Sequence, residues 1–266
     1  MAELSSSADR AIARRIETGH AHSAMASLQG LDVAEVAGGW AIFHQPDSPV
    51  TQAIGIGMNG AVAAADLDRL EAFFHSRGSA AGIDVCTLAD PTLLALIQER
   101  GYVLREISHV LARRVDLSEV FPEAPAGIAR EPVAPGTFPA WSCMMMQGFA
   151  GQEDVPDEQI ALLGSADPWP EAFFGVLDGS RRATAAMDVH AGLATLFGDA
   201  TLVHARARGL QLALIRHRLA RAAELGCDLA SAAVVPGSTS HRNYERAGFK
   251  LMYARVMVSR AAGSKT

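Results

Sequence analysis

A chain of 266 residues, 49% hydrophobic and 20% charged, can bury one large core or two ordinary ones, which excludes wholesale disorder. Its 23 Lys and Arg against 29 Asp and Glu give a net charge of −6, excluding the broad basic surface of a general nucleic-acid binder, so any anion binding is local. Three scattered cysteines, Cys86, Cys143 and Cys227, form no CxxC pair and no disulfide framework, and no apolar run reads as a signal peptide or membrane span; a cytoplasmic protein is expected.

In chain order, an amphipathic pattern predicts a helix over Ala8–Thr18. Strands follow at Val33–Val36, Trp40–His44 and Thr51–Ile56, broken by Gly38-Gly39 and Pro46-Asp47-Ser48-Pro49. Behind the third strand, Gly55-Ile56-Gly57-Met58-Asn59-Gly60 spells GxGxxG. That motif cradles a dinucleotide only where a helix opens on it. Here the helical pattern starts later, at Asp66, which reads as the N-cap of Leu67–Arg77. A Gly-rich turn is the expectation, with a dinucleotide-binding enzyme the remote alternative. Strand Ile83–Thr87 leads through Asp90-Pro91 into a helix over Thr92–Arg100, and beyond Gly101 a long strand runs over Tyr102–Arg113.

Prolines and alanines cluster between Val115 and Pro135, which sets the expected domains at 1–120 and 127–266. Beyond the border come strand Ile128–Glu131 and helices Thr137–Gly148 and Pro156–Leu163. Strands Ala172–Leu177, Ala183–His190 and Leu193–Thr201 follow, with a hairpin signal at Asp178-Gly179 and a weaker one at Ala191-Gly192. A helix from Gly209 to about Leu225 stops at Gly226. Its expected apolar stripe is Leu212, Ile215, Leu219, Ala222 and Ala223, with His217, Arg218, Arg221 and Glu224 on the solvated side. Strand Asp228–Val235, helix Thr239–Ala247 and strand Phe249–Ser259 complete the order. Glu99-Arg100-Gly101-Tyr102 and Glu245-Arg246-Ala247-Gly248-Phe249 each close a short helix before a long strand, which favours a diverged duplication.

Chemistry concentrates in His204–Arg221, where five arginines fall and no acidic residue occurs between Ala200 and Ala223. Its front, Arg206-Ala207-Arg208-Gly209, sits where a strand meets a helix. Helix-start amides beside arginines make a seat for phosphate, and a glycine lets the backbone approach. Its back, Arg216 to Arg221, reads as ordinary helix surface.

Arg206–Gln211 before a helix, then a strand, then Asn243-Tyr244 and Gly248-Phe249, resembles the GNAT superfamily of acyl-CoA N-acyltransferases. The family signature is [Gln/Arg]-x-x-Gly-x-[Gly/Ala]. Arg206 and Gly209 match it, whereas Gln211 stands where the family carries a small residue. The resemblance covers Ile128–Ser259, and Pro236–Asn243 resembles a tandem branch whose first domain is degenerate. It implies an α+β fold of two GNAT-like domains, each a mixed, mostly antiparallel sheet flanked by helices, the C-terminal one with splayed central strands. It implies acetyl-CoA or another acyl-CoA as donor and a primary amine, on a small molecule or peptide, as acceptor. By the same resemblance the backbone at Leu202 and Val203 holds the pantetheine arm. Arg206, Arg208, Gly209, Leu210 and Gln211 hold the diphosphate, with Ser240 and Asn243 at the coenzyme, and Tyr244 gives the leaving thiolate its proton. The base stays open among Asp188, His190, Asp199, His204 and Glu171. No histidine spacing suits a metal, His20-Ala21-His22 included, and none is expected. Neither nucleic acid nor membrane is expected as a partner, and the chain is read as a monomer or homodimer. A non-catalytic acyl-CoA sensor is the rival reading.

Overall fold

The structure is a computed structural model that describes residues 7–26, 29–156, 158, 160 and 171–263; the end of the helix expected over Pro156–Leu163 lies outside them. The described chain forms two compact units, one of residues up to Val110 with those from Leu251 onward, the other Leu111–Lys250.

The first unit holds α1 (Ser7–Ala26), β1 (Asp32–Val36), β2 (Gly39–Phe43), β3 (Gln52–Ile54), α2 (Ala64–His75), β4 (Ala81–Cys86), α3 (Pro91–Glu99) and the start of β5 (Val103–Arg114). Strands β1, β2 and β3 form an antiparallel meander, and β3 then pairs in parallel with β4 for two residues, Ala53 opposite Ile83 and Ile54 opposite Asp84. Leu67, Leu70 and Phe74 of α2 pack with Leu93 of α3 over Ile83 and Val85, while Ala21 of α1 meets Ile42 and Ile54. Asp90 caps α3 by accepting from Thr92 N at 3.0 Å, as its Asp-Pro signal predicts. Asp66 is not the cap of α2: the helix starts at Ala64, and Asp66 sits in its first turn, taking the Ala63 N–H at 2.9 Å.

The second unit holds β6 (Ile128–Pro132), α4 (Phe138–Ala150), β7 (Glu171–Leu177), β8 (Ser180–His190), β9 (Leu193–Thr201), α5 (Leu210–Glu224), β10 (Leu229–Val234) and α6 (Thr239–Arg246). Strands β6 to β9 form an antiparallel meander, and β9 pairs in parallel with β10. Both units thus place a parallel pair at the end of a meander. The helix closures echoed in the sequence also coincide: Tyr102 N bonds Ile97 O and Phe249 N bonds Tyr244 O, each at 3.1 Å.

The compact units differ from the expected domains at both borders. The first ends inside β5 rather than in the Pro/Ala-rich stretch, and Leu111 packs into the second unit's core. The last strand, β11 (Lys250–Arg260), runs antiparallel to β4, with Arg255 opposite Cys86 and Ser259 opposite Gly82, and so belongs mainly to the first unit. Arg255 carries the reason. Its buried guanidinium meets Glu17 of α1 at 2.9 Å and Asp84 of β4 at 3.3 Å, and Tyr253 donates to Glu17 at 2.6 Å.

Candidate functional site

The parallel register of β9 and β10 runs from Leu193 opposite Leu229 to Leu196 opposite Ala232 and stops. Strand β9 continues to Thr201 and β10 to Val234, so the two edges part beyond Leu196 and Ala232, where their pairing ends. A β-bulge sits on β9 at this point: between the pairs Thr184–Ala200 and Ala186–Phe197, β8 has one residue and β9 has two, Gly198 and Asp199. Gly198 has φ +67°, and a Cβ there would lie 3.0 Å from the Trp141 ring. Helix α4 closes on the same strand end, since Gly148 lies where a Cβ would stand 2.6 Å from that of Ala200.

After β9 the chain makes a short turn, Val203–Ala205, and enters α5 at Gly209. This N-cap has φ +87° and no side chain to bond the first-turn amides. The amides of Leu210, Gln211 and Leu212 therefore end the helix as donors pointing along its axis, with the positive end of its dipole. Arg208, more than half exposed, stands beside them, 3.6 Å from Asp178. Arg206 does not point into the seat: its Nε bonds Thr201 O at 3.1 Å and its second nitrogen Gly148 O at 2.8 Å, tying β9 to α4. Leu202 is likewise engaged, donating its N–H to Arg182 O and accepting from Ala205 N. Val203 is half exposed at the turn.

Three residues expected at the coenzyme come together with each other. Gln211 Nε2 donates to Ser240 Oγ and Gln211 Oε1 accepts from Asn243 Nδ2, both at 2.8 Å, fastening α6 to the first turn of α5. A small residue at 211 could not make this bridge.

Tyr244, next to Asn243, is 1% exposed, and its hydroxyl donates to Asp199 Oδ2 at 2.7 Å. Asp199 is in turn bound by Arg218, which reaches both carboxylate oxygens and donates to the carbonyls of Ala186 at 2.8 Å and Phe197 at 3.2 Å. Burial first, and then the Asp199 charge, hold the Tyr244 phenol well above its ordinary range, with Arg218 opposing. Arg218 overturns the expectation of a solvated helix back: it is fully buried. The buried face of α5 is Leu210, Leu214, Ile215, Arg218, Leu219 and Ala222, rotated from the expected stripe because Asp199 offers a partner inside.

Compared with protein-family models the chain matches none, and it matches none of the curated proteins. Among solved structures it is similar to a GCN5-related N-acetyltransferase from Kribbella flavida, with TM-score 0.73 and 20% identity over 95% of this chain and 96% of that one. It is also similar to a tandem GNAT protein from the clavulanic acid biosynthesis pathway, with TM-score 0.57 and 13% identity over 91% of this chain and 85% of that one. A GCN5-related N-acetyltransferase from Sphaerobacter thermophilus aligns at TM-score 0.53 and 20% identity over 68% of this chain and 60% of that one. The fold is that of the GCN5-related N-acetyltransferases.

The acetyltransferase fold accounts for the parted strands and the α5 start, and it leaves Gly55–Gly60 aside. That motif is a pair of turns: Gly57 N bonds Ala37 O, Asp90 N bonds Gly57 O, and α2 opens four residues beyond Gly60. The helix start that meets it, the Asp90 N-cap of α3, comes from a later segment, and no helix opens directly from the motif as in a dinucleotide-binding turn. Of the candidate bases, Asp199 alone is bonded to Tyr244; Glu171 pairs with Arg221 at 2.9 Å, and His204 lies 3.6 Å from Glu153 at the surface. Among the described residues no group of three or more His, Cys, Asp or Glu is placed to hold a metal ion, and no helix is long and apolar enough to cross a membrane.

Proposed function

We propose that the second unit transfers an acyl group from an acyl-CoA, acetyl-CoA in the first instance, to a primary amine. The observation that carries the reading is the parting of β9 from β10 beside the uncapped first turn of α5. The two together suit a ligand with an amide-bearing arm and a diphosphate. The α5 amides and Arg208 would hold the diphosphate, and the parted β9 edge would hydrogen-bond the arm and fix its orientation. Bound there, the coenzyme supplies the activated acyl group. The chain supplies position, shelter from water and a proton source for the leaving sulfur.

Tyr244 is our choice for that proton. A phenol has one hydrogen to donate, and Asp199 receives it here, so delivery to sulfur requires the O–H to turn from a charged acceptor at a cost of about 1.5–3 kcal/mol. The same observation favours the second reading, an acyl-CoA-binding module without turnover. Thiol release from acetyl-CoA, measured across a panel of primary amines, separates them. Amine-dependent release that falls at least about tenfold in Tyr244→Phe, with acetyl-CoA binding retained, supports catalysis by this residue. Binding without release across the panel makes the protein a sensor. The three free cysteines fit a reducing compartment such as the cytoplasm.

A further inference from the structure

A fully buried arginine requires a partner for its charge and acceptors for its donors. Arg218 has both at the β9 bulge. It fills the gap with bonds to Ala186 O on β8, Phe197 O on β9 and Leu214 O on its own helix, and Asp199 neutralises it. As a structural pair this is already complete. Tyr244 adds a third member from a different helix, at a residue three positions beyond the last paired residue of β9. Its neighbour Asn243 is tied through Gln211 to the first turn of α5. Helix α6 is thus pinned at adjacent residues, to the proposed diphosphate seat by one and to the parted strand by the other.

From this convergence we infer that Asp199, clamped by Arg218, is the positioning residue for Tyr244: it fixes the phenol at the parted end of β9, where the thiolate would form. The inference rests on the acyl-transfer reading of the second unit. In the step it serves, the amine nitrogen–carbon bond forms as the carbon–sulfur bond breaks. The departing sulfur takes the Tyr244 proton, and the phenolate is reprotonated by the proton that the acylated nitrogen gives up. Burial and the Asp199 charge disfavour a free phenolate while Arg218 offsets part of that repulsion, so the phenol gives its proton to the sulfur only together with the return of the proton from the acylated nitrogen.

Asp199→Asn keeps the size and an acceptor oxygen and removes the charge. The chain has three tyrosines, so carbon-13 labelling at Cζ yields three resonances, and Tyr244→Phe identifies the one that matters. The expected result is a Tyr244 phenol that titrates at lower pH than in the wild type. The alkaline limb of the kcat profile moves down with it, kcat falls about 10- to 100-fold, and KM for acetyl-CoA stays within about twofold. An unmoved phenol titration and an unmoved alkaline limb, whatever the loss of stability, would make the pair purely structural and overturn the inference. Should that variant not fold, Asp199→Glu keeps Arg218 neutralised but shifts the carboxylate by one methylene; kcat about tenfold lower with the alkaline limb in place supports the inference, and wild-type kcat overturns it. Failure of the acyl-transfer reading looks different, for the wild type then releases no thiol from acetyl-CoA with any amine of the panel, whatever the resonances do.

Discussion

Replacing Arg218 by methionine removes the cation that reaches both oxygens of Asp199, a carboxylate whose side chain is 8% exposed. Methionine fills much of the space but leaves a buried charge without its partner, and the carbonyls of Ala186 and Phe197 lose their shared donor. Breaking a buried pair from one side costs about 3–5 kcal/mol, and each orphaned acceptor adds roughly 1 kcal/mol, offset in part by the apolar area methionine buries. With a urea slope of about 2 kcal/mol per molar, a net loss near 4 kcal/mol lowers the midpoint of the second unit by about 2 M, read by far-ultraviolet circular dichroism. Arg218→Met with Asp199→Leu removes both charges and should recover most of the loss. A deficit below about 1 kcal/mol at pH 7 would refute the claim that the guanidinium neutralises a buried carboxylate.

Gly198→Ala should destabilise the second unit by about 1–3 kcal/mol, because an L-residue is strained at φ +67° and its Cβ would press on the Trp141 ring; thermal unfolding within error of the wild type would contradict the bulge geometry. In the first unit, burial raises the Asp84 carboxyl from 3.8 to about 6 although Arg255 works against it. A folded value above the unfolded one means that this group's contribution is fully present below about pH 4 and is lost as pH rises through 6, a difference of about 3 kcal/mol. Asp84→Asn should therefore gain more stability at pH 8 than at pH 4 in parallel urea titrations, and an equal effect at both would show that the carboxyl is not raised.

Most strands and helices were legible because each carries its own period and its own stop, as at Asp90-Pro91 or Gly226. The hairpin at Ala191-Gly192 gave a weak signal because alanine rarely takes φ +47°, yet the register between β8 and β9 imposes it. Where the terminal strand pairs was hidden: nothing local in Lys250–Arg260 says that Arg255 will meet Glu17 more than two hundred residues earlier. The Gly209 turn and the start of α5 were legible, since both follow from local sequence. The side-chain partners of Arg206 were not legible, because its acceptors, Thr201 O and Gly148 O, are main-chain groups brought close only by the fold. Arg218 looked like surface because its partner lies nineteen residues back, on a bulge that reads as uninterrupted strand. Asp199 adjoins Gly198 in the sequence, and a glycine–acid pair inside a strand was the available signal.

The central claim, an acyl-CoA seat at the start of α5, is tested most directly by calorimetric titration of acetyl-CoA into the wild type and Gly209→Glu. A Cβ at this position meets only Ile128 Cδ1 and Pro125 Cγ, each at 3.8 Å, an ordinary contact. The φ of +87° adds only about 1–2 kcal/mol of strain, so the variant should fold. Saturable binding to the wild type that disappears in a folded Gly209→Glu is the predicted result. Binding of equal strength in both would place the coenzyme elsewhere and contradict the account.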